Sequence, residues 1–146
     1  MALSLEDRIE LHELAGRYGD LVDDRNWTGL DTVFTEEAVF EVVGLVTMEG
    51  LGRIRQYMEN EGRHPLAHLI TNIHVREEEG RVSLLSRGIF PIVSRKEEPG
   101  HRVFYGSYYD RVVRTAAGWR VSYRIFSTKR LETGRQGLPD GPVSGE

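Results

Sequence analysis

The chain opens on a helical pattern. Ser4-Leu5-Glu6-Asp7 sets a hydroxyl three positions ahead of a carboxylate, the sequence mark of a helix N-cap with its capping box. Leu11, Leu14, Ala15, Tyr18, Leu21 and Val22 follow and fall within about 120° of a wheel at about 100° per residue, so they predict one buried stripe. The polar positions break a rule at the far end. Asp20, Asp23 and Asp24 crowd the C-terminus of this helix, where the macrodipole is negative and each acid costs about 0.3–1 kcal/mol. A second short helix is predicted from Trp27 to Phe34, a strand over Ala38–Val43, a turn at Gly44 and a short return strand over Leu45–Met48. Gly50–Glu61 reads as helix, with Leu51, Ile54, Tyr57 and Met58 on one side.

Beyond Pro65 the period changes from helical to strand-like. Long β segments are predicted over Leu66–Glu77, Arg81–Ser94, Arg102–Arg114 and Trp119–Leu131, divided by Glu79-Gly80, the Lys96–Gly100 cluster and Ala117-Gly118. They read as antiparallel hairpins. Helices first and a strand meander second make an α+β pattern. A strongly bent sheet wrapped around the first helix leaves an apolar cavity at one end, a common setting for a small-molecule site. Residues 1–131 are expected to form one domain. Residues 132–146, rich in glycine and proline, are expected to be a flexible tail.

Composition narrows the chemistry. A chain of 146 residues, 39% hydrophobic, can build one sizeable core. It has no cysteine, so disulfides, thiolate nucleophiles, thiolate zinc sites and iron–sulfur clusters are excluded. A formal charge of -4 gives no reason to expect nucleic acid or an anionic membrane as partner. No apolar run reaches membrane-spanning length and the amino terminus lacks a signal-peptide layout, so a cytoplasmic location is expected. A Gly-x-Ser-x-Gly elbow, a phosphate loop and a dinucleotide fingerprint are all missing, and neither cofactor nor metal is expected.

Five histidines remain as candidates. His12, His64 and His101 read as surface residues. His64 and His68 are four apart, but Pro65 argues against the helix that would make them a metal pair. His68 opens a strand in which His68, Ile70, Asn72 and His74 share one face by the period-two rule, with Leu69, Thr71 and Ile73 on the other. Both faces carry apolar residues. From spacing alone His68 is either a half-buried strand histidine or a base.

Several spaced motifs carry a resemblance. Tyr18 with Asp23 five residues on, Asn26-Trp27, and Phe34-Thr35-Glu36-Glu37-Ala38-Val39-Phe40 are joined by His68-Leu69-Ile70-Thr71-Asn72, Tyr109-Asp110-Arg111-Val112-Val113-Arg114 and Gly118-Trp119-Arg120-Val121. Over residues 5 to 130 the chain resembles the SnoaL-like group of the nuclear transport factor 2-like superfamily. The resemblance implies a cone-shaped α+β barrel and a homodimer paired through the open sheet face. It does not fix the reaction, because the superfamily holds dehydratases, a dehydrochlorinase, polyketide cyclases, ketosteroid isomerase and many members of unknown role.

In the dehydratase and dehydrochlorinase branch a helix-end aspartate pairs with a strand histidine that acts as general base, and those positions fall on Asp23 and His68. A carboxylate on one imidazole nitrogen fixes the tautomer and raises the basicity of the other. Asp23 lies about 100° from the centre of the apolar stripe on an ideal wheel, so the helix must end or bend there. Tyr18 matches a tyrosine that assists catalysis, and otherwise fills core. Arg124 matches a pocket arginine that stabilises oxygen charge; it shares strand parity with Arg120, which would put both on the solvent face. Asn72 and Tyr109 are candidate orienting groups. Trp27, Phe40, Met58 and Phe90 are candidate substrate contacts, although these residues and Phe104 also suit a core.

The departures matter too. Ile89-Phe90-Pro91-Ile92 is apolar where scytalone dehydratase carries a second histidine. The first helix has no lysine, which removes support for halide elimination. The acid–tyrosine set of ketosteroid isomerase has no counterpart. The reading is a cofactor-independent acid–base enzyme, a dehydratase acting on a small apolar substrate, with cyclisation or isomerisation by the same base and a non-catalytic ligand-binding domain as alternatives.

Overall fold

A computed structural model describes residues 2–92 and 102–129. The expected tail and His101 lie outside the described residues. The elements are α1 (Leu5–Asp23), a 3-10 turn (Thr28–Thr32), β1 (Phe34–Val42), β2 (Val46–Glu49), α2 (Leu51–Asn60), β3 (Leu69–Glu78), β4 (Arg81–Ile92), β5 (Arg102–Thr115) and β6 (Gly118–Lys129). The predicted second helix is only this 3-10 turn, and β1 starts earlier than expected, at Phe34.

The capping box forms as read. The Asp7 backbone N–H donates to the Ser4 hydroxyl at 3.0 Å and the Ser4 N–H donates to the Asp7 carboxylate at 2.9 Å. That carboxylate also accepts from the indole Nε1 of Trp119 at 3.0 Å and pairs with Arg114, tying the start of α1 to the sheet. Four donors hold Asp7 well below the usual carboxylate range, led by the Ser4 backbone N–H.

The strands form one curved, unclosed sheet in the order β2-β1-β6-β5-β4-β3. All neighbours are antiparallel except β1 and β6. Glu79-Gly80, both at positive φ, close the two-residue β3–β4 hairpin between Glu78 and Arg81. The α1 stripe of Leu11, Leu14, Ala15, Tyr18 and Val22 is buried against the concave face with Leu84, Phe90, Val112 and Val121. Each such Leu or Phe contributes about 1.5–3 kcal/mol through burial. No helix among the described residues is long and apolar enough to cross a membrane.

Two bulges decide which side chains face inward. In β3 the register shifts by one between Thr71 and His74, and Asn72 takes φ 52°. An extra residue flips the alternation, so Ile70, Ile73 and Val75 pack on the core while Asn72 and His74 are exposed. In β6 the pairing runs Arg111↔Tyr123 and then Val112↔Val121, which leaves Ser122 as the extra residue. Arg120 therefore stays at the surface, donating to the Asp31 carbonyl, while Arg124 turns inward and is 2% exposed.

Candidate active site

α1 ends where the site needs it to end. The Arg25 N–H donates to the Val22 carbonyl at 3.1 Å and the Asn26 N–H to the Leu21 carbonyl at 2.8 Å, with Arg25 at φ 58°. That pattern is a Schellman stop. Asp23 is the last helical residue, and its side chain leaves the helix towards the start of β3. Its Oδ1 accepts from His68 Nδ1 at 2.6 Å and its Oδ2 accepts from the His68 backbone N–H at 2.9 Å. These two bonds compensate an acid placed at the negative end of a helix.

With Nδ1–H given to the carboxylate, Nε2 is the basic nitrogen of His68. The His68 side chain is 6% exposed and the Asp23 side chain 23%. Burial lowers the His68 pKa from its ordinary value of 6.5, and the bond to Asp23 opposes that shift. His68 is neutral at pH 7 and able to take a proton. Gly19 makes the contact possible, because a β-carbon there would stand 3.0 Å from both the Cβ and the carbonyl oxygen of His68.

His68 opens onto a cavity of about 390 Å³, within the range of small-molecule sites. Phe40, Met58, Phe90, Phe104, Tyr108 and Phe126 give it an apolar wall, with Tyr18 beside the histidine. The Tyr18 ring meets the His68 ring edge-on at 5.7 Å and Phe90 meets it at 5.4 Å. Gly88 and Gly106 pair directly across β4 and β5. The rings of Phe90 and Phe126 lie over this bare backbone, where a methyl group would overlap them.

Arg124 stands behind the wall. Its Nε and Nη2 donate to the two Asp110 carboxylate oxygens at 2.6 and 2.8 Å, and Asp110 is fully buried. The guanidinium carbon lies 4.3 Å from the Tyr18 ring centre and 4.5 Å from that of Tyr108, a doubly stacked cation. Nη1 is buried without a hydrogen-bond partner among the described residues. Burial works against the charge on Arg124, but the Asp110 carboxylate outweighs it and the pKa is raised. Burial pushes the Tyr18 phenol up to about 12 and Tyr108 well above its ordinary 10, so both are neutral donors. Arg124 does not line the cavity itself; it backs the wall residues Tyr18, Tyr108 and Phe40 and acts on His68 through its charge.

Several expected contacts are corrected. Asn72 is outside because of the β3 bulge, and Tyr109 is 39% exposed on the outer sheet face. The inward residue is its neighbour Tyr108, 5% exposed, which parity along Phe104, Gly106, Tyr108 and Asp110 singles out. Trp27 does not line the cavity but packs against His64 at 5.4 Å. His64, read as a surface residue, is half-buried and lines the cavity. Phe40, Met58 and Phe90 line the cavity.

Residues 3–125 match the model of the SnoaL-like domain. An uncharacterized protein of Mycobacterium tuberculosis is 30% identical over 125 residues, covering 83% of this chain and 84% of that protein. An NTF2-like protein with a cystatin-like fold from Novosphingobium aromaticivorans superposes with a TM-score of 0.75 at 23% identity, over 88% of this chain and 86% of that one. A scytalone dehydratase-like protein from the same organism gives 0.69 at 18% identity, over 84% and 85%. The capped helix, the bent sheet and the matched span together place the chain in the SnoaL-like domain family, on the NTF2-like, cystatin-like fold.

Proposed function

We propose that this protein is a cofactor-independent acid–base enzyme, a dehydratase, in which His68 takes a proton from carbon in a small, mostly apolar substrate. The observation that carries the reading is the paired contact of Asp23 with both Nδ1 and the backbone N–H of His68, at 2.6 and 2.9 Å, on the wall of an aromatic cavity. The carboxylate orients the ring and stabilises the imidazolium that forms. Tyr18 and Tyr108 supply neutral phenols for an oxygen that gains charge, and the Arg124–Asp110 pair holds both rings from behind. Elimination of water and an intramolecular cyclisation or isomerisation share this first proton transfer. Product mass separates them, because only elimination loses a water.

The test is a screen of hydroxylated ketones and polyketide-like compounds against wild type, His68→Ala and Asp23→Asn. Each variant should fold normally and lose about 10²–10⁴-fold in turnover. Unchanged activity in either variant overturns the reading, and binding without conversion by wild type makes the domain a ligand carrier. The reading also takes the protein to be a homodimer through the outer sheet face, where Leu69, Val103, Tyr105, Tyr109 and Val113 stand exposed. Sedimentation reads that directly.

A further inference from the structure

His68 is not the only imidazole in the cavity wall. His64 comes from the loop between α2 and β3, and three contacts fix its ring. Its Nε2 lies 2.6 Å from the Met58 carbonyl, in the last turn of α2. Its ring packs on Trp27 at 5.4 Å, and Gly62 leaves it room, since a β-carbon there would stand 2.8 Å from Cε1. A carbonyl can only accept, so Nε2 carries the hydrogen and Nδ1 is the nitrogen left to gain or lose a proton. His68 has the reverse arrangement, with Nδ1 committed to Asp23. Two imidazoles held in opposite tautomers share one cavity.

A departing hydroxide needs a proton, and among the described residues of this wall an imidazolium gives one up more readily than the phenols of Tyr18, Tyr57 and Tyr108. The phenols of Tyr18 and Tyr108 hold theirs too tightly. Glu61 is bound by Arg53 at 2.5 and 3.2 Å, and that contact lowers its pKa, so it is ionised. Arg63 is exposed and does not release its proton.

We propose that His64 is a second acid–base residue of this site and protonates the oxygen that leaves while His68 removes the proton from carbon. The inference rests on the dehydratase reading. In the step the C–H bond breaks, its proton goes to His68 Nε2 and its electron pair forms the C=C bond. The C–O bond breaks and the oxygen leaves as water with the proton from His64 Nδ1. The site begins with His64 protonated and ends with His68 protonated; proton transfer through solvent restores it.

The experiment uses the full chain labelled with ¹⁵N-histidine, and the probe 4-hydroxy-4-phenyl-2-butanone with its O-acetyl ester. The ring shifts of wild type should show the Nε2–H tautomer for neutral His64 and the Nδ1–H tautomer for His68. Burial lowers the His68 titration and Asp23 from α1 raises it, while His64 from the loop and Arg124 from β6 lower it further. His64→Gln, which keeps a donor for Met58, should therefore move the His68 midpoint upward. With the probe, this variant should lose about 100-fold or more on the alcohol and less than about tenfold on the ester, whose acetate leaves without a proton. His68→Ala should lose both. Matching tautomers, an unmoved His68 midpoint or an equal loss on the two probes overturns the role of His64. Full activity of His64→Gln alongside an inactive His68→Ala removes this inference and keeps the dehydratase reading. Activity retained by His68→Ala removes both.

Discussion

Gly19 of α1 and His68 before β3 approach so closely that a β-carbon on Gly19 would meet the Cβ and the carbonyl oxygen of His68 at 3.0 Å, and one side would have to give by a few tenths of an ångström. Mid-helix glycine costs about 1 kcal/mol relative to alanine. Here that cost sets the base against its aspartate. Gly19→Ala gains helix propensity and loses this contact, so its melting temperature should change little. Its kcat should fall a few-fold, because His68 must give by a few tenths of an ångström to admit the methyl group and turnover is sensitive to the placing of a reacting group. Parallel melts and turnover measurements check it, and a variant with normal kcat contradicts it.

The pH profile follows from the environment of His68. Burial lowers its pKa below the ordinary 6.5 and Asp23 pulls it back up, so the acid limb of kcat/KM should lie below pH 6.5. Asp23→Asn removes the upward pull, and whatever activity remains should have its acid limb at still lower pH. The stability sign agrees: the unfolded chain takes up this proton first. The contribution of His68 is thus present above the unfolded pKa and lost as pH falls through the folded one. Urea midpoints across that range, compared with His68→Ala, measure it.

Arg124 and Asp110 form a pair that is costly to halve. Arg124→Met or Asp110→Asn each leaves a buried group without its partner and should destabilise by about 3–5 kcal/mol. The double variant Arg124→Met/Asp110→Leu should lose clearly less than the sum, which a double-mutant cycle from urea unfolding reads directly. Additive losses would mean that the two groups are not coupled.

Ser4 offers a control far from the cavity. Ser4→Ala removes the hydroxyl that accepts from the Asp7 N–H and should cost about 1 kcal/mol without changing kcat. A large fall in turnover would show that the start of α1 reaches the chemistry.

The order of elements was legible because each had a local cause: the Ser4–Asp7 cap, the stripe from Leu11 to Val22, and the Glu79-Gly80 turn. Asp23 and His68 stand out in the sequence only through the family resemblance. Periodicity had put Asp23 off the buried stripe, and the helix stop at Arg25 is what brings it round. Parity along the strands failed at the bulges. Asn72 carried a usable signal, since Asn tolerates the left-handed region better than most residues, whereas Ser122 carried none. Tyr108 was hidden by its neighbour Tyr109, because both faces of β5 mix apolar and polar residues. His64 was misread because Pro65 marks a loop, and no local pattern says that a loop residue folds back on a helix end.

The two bulges also govern how the chain tolerates a change in length. Removing Asn72 leaves Ile70 and Ile73 on the core side, and removing Ser122 does the same for Val121 and Arg124, because each deletion restores plain alternation. A deletion elsewhere in β3 or β6 exchanges inside for outside as far as the next irregularity. Single-residue gaps are thus tolerated at these two kinks and lethal beside them. A chain shortened at a kink would keep its core but straighten its strand, since bulges supply bend and twist. It would remain folded while its cavity became shallower.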